Sequence, residues 1–123
     1  MTIEISNGEL FDKLTILEIK MEKINEGSLL KEWESLNDKA MTILSIFSEN
    51  GLYRKIDALE EVNRKLWDIK DWIHICEKEQ RFDKEFVELA RSVYKLNDER
   101  YAIKKDIDKL TNSKFSEEKS YSK

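Results

Sequence analysis

The 123-residue chain has no proline, only three glycines, and a single cysteine and a single histidine. Without proline, nothing in the covalent structure forces a break in a long helix. One cysteine, Cys76, excludes an intrachain disulfide and fits a reducing compartment. One histidine, His74, cannot supply the two E-x-x-H motifs of a di-iron helical bundle, and a zinc site built from one His and one Cys is weaker still. With so little glycine there is no phosphate-cradling loop and no Gly-flanked nucleophile turn. The apolar runs are only a few residues long, so neither a membrane span nor a signal peptide is expected and the expected location is cytoplasmic.

Charge is plentiful: 39% of the residues are charged and 40% are hydrophobic, with a net charge of −4. The charges are interleaved, and no long basic run offers a surface to a polyanion. General nucleic-acid binding is therefore not expected. High charge combined with helical apolar spacing describes a solvated helical bundle.

The spacing is clearest in the last long segment, from about Asp83 to Leu110. Phe86, Val93 and Ile107 fall on one heptad line with Arg100 in the remaining slot, and Leu89, Leu96, Ile103 and Leu110 fill the other. That is an a/d seam for lengthwise packing, with Asp83 as its N-cap. Upstream, Ser6 and Glu9 form a capping box that starts a first helix near Asn7. Its line is Leu10, Leu14, Leu17, Met21 and Ile24, with Phe11, Ile16 and Ile19 on other faces. A helix apolar around so much of its girth is central in the fold or shared with a second subunit; the expectation is a homodimer through this helix. Gly27 is expected to end it and Ser28 to cap a second helix carrying Leu29, Trp33, Leu36, Ala40, Ile43 and Phe47. Asn50-Gly51 marks a turn, and a third helix runs from Leu52 to about Glu79. Short connections favour antiparallel neighbours. The predicted fold is all-α: an antiparallel bundle of about four long amphipathic helices with coiled-coil-like seams. It fills residues 1–111, with a polar tail over 112–123 that Phe115 and Tyr121 can dock. Met1 to Ile5 alternates as a short extended arm would.

Carboxylates spaced i, i+3 occur at Asp57/Glu60, Asp68/Asp71 and Glu85/Glu88, but Glu85-x-x-Glu88 lacks the downstream acidic pair of the all-helical pyrophosphohydrolases. In so acidic a chain such pairs read as solvated faces. Neither a catalytic residue nor a cofactor is implied. The polar residues that stand out lie in or beside apolar seams. Arg100 is in one, with Asn97 and Lys104 beside it, and Lys70 and His74 flank the seam of the third helix. If the third and fourth helices are neighbours, Lys70, His74, Asn97, Arg100 and Lys104 form a cationic, hydrogen-bonding patch suited to a phosphate or carboxylate. Glu18 and Glu22 of the first helix are the expected ion-pair partners that would neutralise it. A structural ion pair or register device is the plainer role for a seam arginine.

The blocks GELFDKLTILEIKMEKI (8–24), NRKLWDIKD (63–71), FDKEFVELARSVYKLNDERYAIKKDI (82–107) and EEKSY (117–121) resemble an uncharacterised family of small helical proteins of bacteria and phages. Relatives of that family also occur as segments of larger proteins near glycosyltransferase and cell-surface polysaccharide genes. The resemblance implies no activity. It singles out Asp12, Lys13, Glu18, Lys20, Trp67, Arg91, Asn97, Asp98, Arg100 and the tail as members of a shared pattern. The functional expectation is a non-enzymatic module for protein–protein interaction or assembly. The alternative is a binder of, or an enzyme acting on, a phosphorylated or sugar-nucleotide ligand at the cationic patch.

Overall fold

The structure, a computed structural model, describes residues 5–24, 26–47 and 51–112. Four helices follow in order: α1 (Asn7–Lys23), α2 (Ser28–Phe47), α3 (Leu52–Lys78) and α4 (Lys84–Leu110). The fold is all-α, as the spacing requires. The expected N-terminal arm lies mostly, and the docked tail almost wholly, outside the described residues.

Local chemistry sets the helix ends. Ser6 Oγ accepts from Glu9 N at 3.0 Å, and Asp83 caps α4 by accepting from Phe86 N at 3.2 Å. Only half of the expected capping box forms, because the Glu9 carboxylate reaches Lys104 instead. The first helix ends at Lys23, earlier than Gly27, and Ser28 is already helical. Gly51, at φ +81°, supplies the left-handed turn into α3. The α3/α4 turn closes as a Schellman motif: Arg81 N donates to Cys76 O at 2.8 Å and Gln80 N to Glu77 O at 3.1 Å. Gln80 takes the left-handed position, φ 57°, where glycine is usual.

With 27 residues each, α3 and α4 form a hairpin about 40 Å long. The core lies at the end of the hairpin away from its turn. Phe11, Leu14, Ala40, Leu52, Leu59 and Ile107 are buried there, with Trp33, Leu36, Ile43, Leu44, Phe47, Ile56 and Ile103 packed around them. Burying a side chain of this size stabilises by roughly 1.5–3 kcal/mol.

The central element is α1, which packs against α2, α3 and α4. Leu10, Phe11, Leu14, Leu17 and Ile19 are all buried within the chain. Most of the apolar girth of α1 is therefore taken up within the chain. Uncovered apolar surface lies elsewhere. Between residues 67 and 97, Cys76 alone among the apolar side chains is fully buried. Trp72, Ile75, Phe82, Val87 and Tyr94 are exposed. No helix among the described residues is long and apolar enough to cross a membrane.

Candidate functional site

Where α1 crosses the hairpin, a polar cluster is set into the apolar seam. Its centre is Asp12, fully buried between Phe11 and Leu14. Arg100 grips it with both prongs: Nε donates to Oδ1 at 2.9 Å and Nη2 to Oδ2 at 2.6 Å. Asn63 Nδ2 donates to Asp12 Oδ1 at 3.0 Å and to Thr15 Oγ1 at 2.9 Å. Lys104 Nζ lies 2.8 Å from Glu9 Oε1 and 3.7 Å from Asp12 Oδ2. Asn97 Oδ1 accepts from Arg100 Nη1 at 3.2 Å. The Asp12 carboxylate is thus matched by donors from α3 and α4, which is what makes a buried ion pair tolerable.

A turn away, α1 is fastened to the end of α4. Gly8 N donates to Asp108 Oδ1 at 2.7 Å and Asn7 Nδ2 to Thr111 Oγ1 at 2.9 Å. The Asp108 carboxylate thus serves a first-turn amide of α1 that has no partner within its own helix, and lies at the positive end of that helix. The approach is close enough that a Cβ at Gly8 would run into the Lys104 carbonyl oxygen.

Burial pushes the Asp12 carboxyl up, but the hydrogen bonds from Arg100 and Asn63 and the charges of Arg100 and Lys104 outweigh it. The net shift is below the ordinary value of 3.8. Asp12 therefore stays a carboxylate held among cations, a poor general acid at neutral pH.

Of the five residues expected to form a cationic patch, the structure brings together Asn97, Arg100 and Lys104. Lys70 and His74 are exposed on α3, and no polar contact joins them to the cluster among the described residues. The acids expected as partners go elsewhere. Glu18 accepts from Trp33 Nε1 at 3.0 Å, and Glu22 pairs with Arg64 at 2.6 Å on the surface. The carboxylate that answers Arg100 is Asp12, which spacing alone did not single out. The signal was shared: an aspartate among Phe11, Leu14 and Thr15 is out of place in a seam, but Glu18 and Glu22 lie as close to a seam line.

A shallow groove of about 230 Å³ opens beside the cluster, lined by Glu9, Asp12, Lys13, Ile16, Lys20 and Glu32, with Arg100 at its edge. Three acids there match three cations, so it offers no net positive field to a phosphate. No three His, Cys, Asp or Glu side chains gather as a metal-binding group among the described residues.

Comparison with curated proteins finds no match, and comparison with solved structures finds none. The match that does emerge spans residues 1–123. The chain belongs to the family of unknown function DUF6165.

Proposed function

We propose that this protein is a non-enzymatic helical assembly module that holds another protein chain along the uncovered half of its α3/α4 hairpin. The observation that carries this reading is the exposure of the hairpin's outer half: Tyr94 is 72% exposed and Val87 50%, on the helix whose other half buries Lys104, Ile107 and Asp108. Apolar side chains contiguous along a helix and left bare mark an interaction surface. The buried polar cluster supports the same reading. Arg100 and Lys104 are occupied by Asp12 and Glu9, so the cluster holds α1 on the hairpin and leaves little charge for a ligand. A bacterial or phage cytoplasm suits a chain whose one thiol is buried.

The test is a photo-crosslinking residue at position 94, compared with one at the exposed position 39 on α2, in the cells that make the protein. A discrete adduct of defined mass from position 94, absent from 39, is the expected result. Equal adducts from both positions, or none, would overturn the reading. So would a melt raised several degrees by a nucleotide or sugar phosphate and restored by Lys13→Ala with Lys20→Ala.

A further inference from the structure

Resting on that reading, we infer that the chain held along the hairpin is a second copy of this protein, packed antiparallel along α4 about a two-fold axis near Ala90 and Arg91.

One face of α4 is covered by α1. Asn97, Arg100, Lys104, Asp108 and Thr111 follow one another at three- and four-residue steps, so they form one row along the helix. Through Arg100, Lys104, Asp108 and Thr111, α4 meets α1 or the side chains that α1 carries. The same row continues toward the hairpin turn as Tyr94, Ala90 and Val87, all exposed. On α3 the row that meets α1 at Asn63 continues as Trp67, Lys70 and His74. The cover stops because α1 crosses obliquely. Gly8 sits at Asp108, Asp12 at Arg100 and Asn63, and Glu22 has already reached Arg64 of α3. An open layer, one helix deep, is left above the hairpin beyond that crossing.

The exposed row is self-complementary. Turned antiparallel, Val87 lies opposite Tyr94 of the second copy, and Tyr94 opposite its Val87. Ala90 faces its own equivalent, and its methyl group allows the two helices to approach closely. On the flank of the row, Lys84 of each copy meets Asp98 of the other, giving two opposite-charge pairs. Lys84 and Asp98 are exposed. Arg91 approaches its own equivalent at the axis, and Glu88, three residues earlier on the same helix, is spaced to offset it. In this register the contact runs from about Asp83 to Asp98, some 23 Å of helix. The hairpin turn of each copy then stops where α1 of the other begins. A closed two-fold interface forms, one that does not propagate into a filament.

Molar mass by sedimentation from 1 to 100 µM tests this with the full chain. A dimer is expected, weakened about tenfold by Lys84→Glu and by Asp98→Lys, each of which replaces two attractive pairs with two repulsive ones. An equimolar mixture of those two variants restores both pairs and should recover the dimer. Ala90→Arg should give a monomer that still melts cooperatively, at the temperature of the dilute parent, and Arg91→Ala should tighten the dimer. A monomer at every concentration overturns the inference. If the position-94 adduct persists in that case, the assembly reading survives with a different partner. A dimer indifferent to both charge reversals and to Ala90→Arg overturns the α4 geometry while leaving assembly intact. A mixture that fails to recover the dimer overturns the pairing.

Discussion

The two halves of the α3/α4 hairpin share one heptad spacing and end in opposite environments. In the half near Leu52 and Leu110, the seam residues Leu59, Val62 and Ile107 are buried under α1 and α2. In the half near the turn, the equivalent residues Ile69, Ile73, Phe86, Leu89 and Val93 are only half-buried. The difference does not lie in the seam, which is apolar throughout the open half and carries Arg100 in the covered one. It lies in the third helix that covers one half and crosses away from the other. Two helices bury a single line between them, and a third is needed to close the groove on either side. The same comparison separates the polar residues. Asp12, Asn63, Arg100 and Lys104 are matched beneath α1, whereas Lys70 and His74, on the open half, remain in solvent.

If that contrast is correct, substitutions in the covered half are costly and those in the open half are not. Arg100→Glu places a second carboxylate against buried Asp12 and should cost more than 4 kcal/mol, enough to prevent folding. Its signature is loss of the cooperative melt. Asp12→Ala leaves Arg100 without its carboxylate and Asn63 with Thr15 alone, and should cost about 3–5 kcal/mol by urea denaturation. Gly8→Ala forces α1 off the Lys104 carbonyl and should cost about 1–3 kcal/mol by the same measurement.

Acid acts on the covered half. The folded state holds the Asp12 carboxyl below its ordinary 3.8, so the ion pair contributes stability that is complete above that value. As pH falls below it, through the folded pKa, that contribution is lost. Melting temperature should therefore drop below about pH 4, and Asp12→Asn, less stable at neutral pH, should show a shallower drop. The smallest effects belong to the open half. Tyr94→Glu and Val87→Glu should change monomer stability by about 0.5 kcal/mol or less. Gln80→Gly, relieving a left-handed residue, should raise it by about 1 kcal/mol.

Much of the fold was legible because helices announce themselves by period. The 4-3 spacing located all four, and Asp83, Ser6 and Gly51 marked ends that the backbone uses. Which helix would be central was not legible. The girth of α1 is the same whether its second face meets another helix of the chain or another subunit, and only the tertiary arrangement distinguishes them. Arg100 was legible as an anomaly in its seam, and so were its neighbours Asn97 and Lys104. Its partner was not, because Glu18 and Glu22 are as close to a seam line as Asp12. The oblique crossing of α1 brings Asp12 to Arg100 and carries Glu22 out to Arg64. Crossing angles depend on how side chains interdigitate across two surfaces, which one-dimensional spacing does not encode.

The most direct test is amide hydrogen exchange along α4, measured residue by residue at low and high protein concentration. The covered half, Ile103 to Ile107, should be strongly protected at both. The open half, Val87 to Tyr94, should exchange at least about tenfold faster when dilute and gain protection as concentration rises. Equal protection along the whole of α4 in dilute solution, unchanged by concentration, would contradict both the contrast between the halves and the interface built on it.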